Sequence, residues 1–239
     1  MAISEHIVAS FDDELNDLNQ KIAEMGGLAE QLVGDSVTAL ARRDSDVAQR
    51  IISDDQKVDR LQRYIEDHAI LMIAKRQPMA QALREIMAAI HIANDLERVG
   101  DLAKNTAKRV IAIEGNFASQ RLVAGVEHIA ELSLAQLKNV LDAYAARDLA
   151  AAHAVWERDD EIDAMYTSLF RELLTYMMED PRNITFCTHL LFCAKNIERM
   201  GDHATNIAET VHYMVAGRML SDVRPKGDTT ALTTVPFPG

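Results

Sequence analysis

Four pairs of acidic side chains are spaced by one helical turn: Asp55 with Asp59, Glu97 with Asp101, Asp159 with Asp163, and Glu198 with Asp202. On a helix, residues four apart share a face, so each pair sets two carboxylates side by side. Like charges at that spacing destabilise a helix by a few tenths of a kcal/mol unless a cation or a basic side chain lies between them. With 37 acids in 239 residues, about six such pairs arise by chance, and the chain holds seven, so their number decides nothing. Their placement does. Asp13/Asp17, Glu127/Glu131 and Glu157/Glu161 have no counterparts, whereas the other four occupy matching points of an internal duplication. Carboxylates gathered in this way, with Asn105 or Asn206 one turn further on as a neutral oxygen donor, suit hard, oxygen-seeking cations.

The same pattern has a plainer reading, a solvated acidic edge balanced by Arg60, Arg98 and Arg199. Gly100 and Gly201 lower helix stability, so their position beside the acids fits close helix approach, with or without an ion. A ferritin-type di-iron bundle would carry Glu-x-x-His on each of two helices; the eight histidines do not supply that motif on two helices, which disfavours redox catalysis. His203 follows Asp202 and is left outside the site. There is no G-x-x-x-x-G-K-[ST] loop, no G-x-S-x-G elbow and no C-x-x-C pair, so no enzyme is expected. The methionines, among them Met72, Met87, Met165, Met177, Met178 and Met200, fit core filling better than an adaptable partner surface.

The elements that must hold these acids are helices. Apolar residues recur at steps of three and four, as in Val47, Ile51, Val58, Leu61, Ile65, Met72 and again in Leu83, Ile86, Ile90, Ala93, Leu96. Only 10 Gly, 5 Pro and 5% aromatic residues leave few turns and little strand-forming material. Breaks fall at Ala41-Arg42-Arg43-Asp44, Gln77-Pro78, Glu114-Gly115-Asn116, Ala146-Arg147-Asp148 and Asp180-Pro181. Six long antiparallel helices result, three on each side of Gly115. The first runs from near Ser4 to about Arg43, with Gly26-Gly27 as a kink or a tight helix contact. The segment from Asn94 to Asn105 echoes that from Lys195 to Asn206, and both contain Glu-Arg-[Val/Met]-Gly-Asp. The expected fold is therefore all-α: two tandem homologous three-helix bundles over residues 1–115 and 116–219, with 220–239 as a disordered tail.

A formal charge of −12 repels phosphate backbones, so nucleic acid is not an expected partner. Cys187 and Cys193 lie six residues apart on one predicted helix, which suits a reducing compartment. No basic segment precedes an apolar run at the N-terminus, and no stretch approaches the roughly 18 apolar residues that cross a bilayer. A cytoplasmic location is expected.

The doubled Glu-Arg-[Val/Met]-Gly-Asp segment, with Asn four residues after the Asp, resembles the PhoU family of phosphate-uptake regulators. Met25-Gly26-Gly27, Ile73-Ala74-Lys75-Arg76-Gln77-Pro78 and Leu174-Thr175-Tyr176-Met177-Met178-Glu179-Asp180 are similar to proteobacterial members in particular. The resemblance covers about residues 5 to 217. It implies metal clusters on E/D-x-x-x-D motifs, with Asp55, Asp59, Glu97, Asp101, Asp159, Asp163, Glu198 and Asp202 as ligands for Mn, Mg, Fe or Zn ions. It also implies a non-catalytic negative regulator of the phosphate-starvation response. Such a protein connects the ATPase subunit of the phosphate ABC transporter with the phosphate-sensing histidine kinase, meets the membrane only through these partners, and forms a homodimer. Lys108 stands where the second copy has Glu209, which points to a less negative first cluster. A di-metal carboxylate enzyme and a metal-independent helical scaffold are the alternatives.

Overall fold

The structure, a computed structural model, describes residues 2–113 and 120–220. Helices account for all of its regular elements among the described residues. The expected break at Glu114-Gly115-Asn116, the boundary between residues 115 and 116, and nearly all of the expected tail lie outside the described residues.

Turn chemistry fixes where each helix ends. Helix α1 (Ala2–Arg42) meets α2 (Ser45–Arg76) through Arg43 and Asp44. Arg43 adopts the left-handed conformation (φ 57°). This turns the N–H of Asp44 back to the Ala39 carbonyl at 3.0 Å and that of Arg43 to Leu40 at 3.4 Å, which satisfies carbonyls the helix end would leave orphaned. The Asp44 carboxylate then caps α2 by accepting the Val47 N–H at 2.9 Å. An equivalent turn joins α4 (Gln120–Ala146) to α5 (Leu149–Glu157). There Arg147 is left-handed (φ 52°), the Asp148 N–H reaches Ala143 O at 2.9 Å, and Asp148 accepts the N–H groups of Ala150 and Ala151. The duplication thus extends to individual hydrogen bonds.

Helix α2 stops at left-handed Gln77, just before Pro78, and α3 spans Gln81–Ala112. One departure from the expected six helices occurs in the second bundle. The fifth breaks at Arg158 into α5 and α6 (Asp159–Glu179). The buried Gln136 side chain donates to the Arg158 carbonyl at 2.9 Å, and the neighbouring N–H groups shift to i−3 acceptors, Arg158 to Val155 and Glu161 to Arg158. A side chain inserted into the helical ladder is a known cause of a kink. A 3₁₀ turn over Pro181–Asn183 leads into α7 (Ile184–Ala216), which ends on left-handed Gly217 (φ 71°).

Helices α1, α2 and α3 pack on one another, as do α4, α5/α6 and α7, and the two bundles meet where α3 crosses α7 and α1 crosses α4. Helices α3 and α7 run antiparallel across this seam, with Asp95 against His203 and Thr106 against Asn196. Gly26 marks a tight contact rather than a break, since a Cβ there would lie 2.7 Å from Leu141 of α4. A single apolar core runs through both bundles and includes Leu18, Ile22, Ile65, Ile86, Leu96, Leu122 and Ile129. Each such side chain contributes about 1.5–3 kcal/mol when fully buried. No helix among the described residues is long and apolar enough to cross a membrane.

If the two turns work as described, Asp44→Ala and Asp148→Ala will each lower unfolding free energy by about 1 kcal/mol in urea titrations. Asp142→Ala, which removes only an exposed pair with Lys138, will cost less than about 0.5 kcal/mol. Equal losses in all three would refute the capping role.

Candidate metal centre

The first cluster lies where α2 meets α3. Asp55 points inward one turn before Val58 and is only 2% exposed. Gly100 makes room for it: a Cβ there would stand 3.2 Å from Asp55 Oδ1 and 3.4 Å from Val58. Asp59, Glu97 and Asp101 are half-buried around it. Burial raises the Glu97 carboxyl above its ordinary range, and the negative fields of Asp101 and Asp59 add to this against the opposing charge of Arg98. The Lys104 ammonium sits within the cluster, 2.5 Å from both Asp55 Oδ2 and Asp101 Oδ1. Burial opposes its charge, but the hydrogen bonds to Asp101 and Asp55 hold its pKa above the usual lysine range. The Asp55 carboxyl is raised by burial and partly restored by Lys104. Its Oδ1 is buried with no hydrogen-bond partner.

The second cluster lies where α6 meets α7. Asp159 and Asp163 are buried on α6; on α7, Glu198 is 4% exposed and Asp202 is half-buried. Glu198 Oε1 accepts from Lys195 at 2.8 Å, while Oε2 is buried without a partner. Burial pushes the Glu198 carboxyl up to about 7, and the charges of Asp202 and Asp163 act in the same direction against the Lys195 ammonium. Thr205 occupies the position that corresponds to Lys104 in the doubled segment. Its hydroxyl donates to Asp159 Oδ1 at 2.8 Å.

Sequence reasoning missed Gln136. Its amide nitrogen holds the Arg158 carbonyl, and its Oε1 is buried, unpartnered and 3.7 Å from where a Cβ on Gly201 would stand. The available signal was a polar pair, Ser133 and Gln136, inside the otherwise apolar stripe of α4. The two candidate asparagines are placed elsewhere. Asn105 lines an open cleft of about 350 Å³ with Lys108, Arg109, Phe192 and Asn196. Asn206 donates to Asp95 Oδ1 at 3.3 Å in the seam between bundles, where His203 also meets that oxygen at 2.8 Å. The Lys108/Glu209 exchange bears on neither cluster through these contacts, because Glu209 accepts the Trp156 indole N–H at 3.1 Å while Lys108 faces the cleft.

The four acids of each motif set are therefore assembled in pairs across two helices. Among the described residues, no three His, Cys, Asp or Glu side chains converge tightly enough to hold an ion as they stand. The donor chemistry nevertheless fits a hard cation. Asp55 Oδ1, Glu198 Oε2 and Gln136 Oε1 are buried oxygens without partners, and unsatisfied acceptors of this kind call for an ion or water.

The PhoU domain matches the chain twice, over residues 22–110 and 126–211. The chain belongs to the PhoU family. The two matched stretches correspond to α1–α3 and α4–α7. A phosphate-specific transport system accessory protein PhoU homolog of Rhizobium meliloti is 64% identical over 226 residues, covering 95% of each chain. Its counterpart in Caulobacter vibrioides is 49% identical over 95% of this chain and 98% of its own length. Among solved structures, PhoU of Pseudomonas aeruginosa superposes with a TM-score of 0.84 at 38% identity, covering 87% of this chain and all of that one. The phosphate transport system regulatory protein PhoU of Streptococcus pneumoniae gives 0.82 at 28% identity, over 88% and 99% of the two chains. Conformity to the PhoU fold thus extends across both bundles.

The raised carboxyls give this PhoU-family chain a distinctive pH response without metal. Between about 4.5 and about 7 the native state keeps a proton on Glu198 that the unfolded chain releases. Native protein therefore binds more protons than unfolded protein, and stability falls as pH rises through that window. Asp55 and Glu97 shift in the same direction. Urea midpoints of metal-free protein are expected to decline between about pH 5 and about pH 7, and Glu198→Gln to flatten the decline. An unaltered slope in the variant would remove Glu198 as its source.

Proposed function

We propose that this chain is a non-catalytic, cytoplasmic regulator of phosphate uptake whose two carboxylate clusters bind divalent or trivalent metal ions. In this proposal it acts with the phosphate ABC transporter, through the ATPase subunit, and holds the phosphate-sensing histidine kinase quiet when phosphate is plentiful. It reaches the membrane only through these partners. The observation that carries the metal role is the pair of matching clusters with buried, unpartnered oxygens at Asp55 and Glu198. The regulatory role rests on similarity over nearly the whole chain to proteins named accessory to phosphate-specific transport.

Asp55, Asp59, Glu97 and Asp101 would hold the ion of the first bundle, and Asp159, Asp163, Glu198 and Asp202, with Gln136 beside them, that of the second. A bound cation supplies positive charge to carboxylates that otherwise repel. Occupancy would tie α2 to α3 and α6 to α7 through these acids, and so would set the surface presented to partners; a partner that binds one occupancy state better shifts the population towards it.

Two measurements test the proposal. Removing the gene is expected to derepress phosphate-responsive alkaline phosphatase expression in high phosphate, and unchanged expression would end the regulator assignment. Mn²⁺ at about one hundred times its dissociation constant should stabilise the protein by about 2.7 kcal/mol for each site it fills. Neutralising all eight acids should abolish that gain. A metal-independent scaffold would show no gain and would be slightly stabilised by the neutralisation, because repulsion is removed.

A further inference from the structure

Lys104 is not a bystander at the rim of the first cluster. Its Nζ lies 2.5 Å from a carboxylate oxygen of Asp55 on α2 and 2.5 Å from one of Asp101 on α3, so a single ammonium joins the two helices. These are the helices, and two of the acids, that a metal ion in this bundle would join. Arg98 also lies beside the acids, but its contacts are 3.4 Å and 3.8 Å and its side chain is 63% exposed. In the second bundle the corresponding residue is Thr205, which offers Asp159 a neutral hydroxyl. There Lys195 meets Glu198 from the same helix, three residues away.

From this geometry we infer that Lys104 is a tethered occupant of the cation position in the first bundle, so that ammonium and metal are alternative occupants. The inference rests on the metal role proposed above. One ammonium leaves Asp55 Oδ1 without a partner, so the acids keep an oxygen to offer an incoming ion. The lysine stem is flexible and 21% of the side chain is already exposed, which lets the ammonium withdraw into water while its methylenes stay against the helix. Metal entry then carries the cost of displacing Lys104, and a metal-bound first bundle presents a free ammonium on its surface.

The competition is measurable with Mn²⁺ as the probe. In a Glu198→Gln/Asp202→Asn background that silences the second cluster, Lys104→Thr is expected to bind Mn²⁺ at least about tenfold more tightly than the lysine-bearing protein. Equal affinities would overturn the inference. A readout that needs no variant is acetylation of Lys104 in the wild-type protein, followed by mass spectrometry, with exposed Lys138 as internal reference. Labelling of Lys104 should rise on adding Mn²⁺, and constant labelling under saturating Mn²⁺ would overturn the inference even if Lys104→Thr fails to fold. If neither wild type nor variant binds Mn²⁺, the metal role itself falls and this inference with it, a result distinct from equal and measurable affinities.

Discussion

Carboxylates buried between two helices must be neutralised, and much of the local architecture follows from that requirement. Two unit charges 4 Å apart at an effective dielectric constant of about 20 interact by about 4 kcal/mol, far more than a surface pair contributes and a large share of a domain's net stability. Each bundle meets the requirement differently. The first places the Lys104 ammonium between Asp55 and Asp101. In the second, the Glu198 carboxyl is raised to about 7, Lys195 holds one of its oxygens, and Thr205 donates to Asp159. Gly100 and Gly201 belong to the same solution: a side chain at Gly100 would crowd Asp55 and Val58, and one at Gly201 would stand 2.7 Å from Ile162.

The helices that carry the clusters also join the bundles. Helix α3 presents Glu97 and Asp101 towards α2, and Asp95 towards His203 and Asn206 of α7. Helix α7 presents Glu198 to the α6 acids, and Asn196 to Thr106 of α3. Anything that changes the spacing of α2 against α3, or of α6 against α7, therefore acts on a helix that is also half of the central seam. Since a continuous core runs through both bundles, such a change is resisted by packed side chains rather than absorbed by a loose linker.

Most of this fold was legible because its signals are local. A three- and four-residue apolar rhythm marks helices, and Asp44 and Asp148 mark their starts through side-chain capping within a few residues. The break at Arg158 was not legible. It depends on Gln136, some twenty residues away in sequence, whose amide reaches into the ladder, while the apolar rhythm continues on either side. The surroundings of the two asparagines were not legible for the same reason. Asn105 and Asn206 sit at equivalent places in the repeats, yet one lines a cleft and the other serves the seam, because their partners come from other helices and leave no trace in spacing. The acids stood out in the sequence because duplication, and not charge alone, singled them out, and the structure gathers them where α2 meets α3 and α6 meets α7.

The exchanges of charged residues between the two copies show how far sequence position can mislead when side-chain reach is ignored. Lys108 against Glu209 is the more conspicuous exchange, a reversal of sign at matched positions. Both residues lie more than one turn beyond the last acid of the motif, however, and the structure engages Glu209 with Trp156 and directs Lys108 into a separate cleft. The exchange of Lys104 for Thr205 changes charge by only one unit, but it occurs three residues after Asp101, where side chains on a helix are neighbours, and opposite Asp55 of the adjoining helix. At 2.5 Å that single unit outweighs a two-unit reversal at a distance, since Coulomb energy falls with separation and is screened further by water at the exposed site. The two bundles are thus copies in backbone, each with one lysine at its acids, but the Lys104 ammonium joins two helices whereas Lys195, where the first copy has Asn94, meets Glu198 on its own helix.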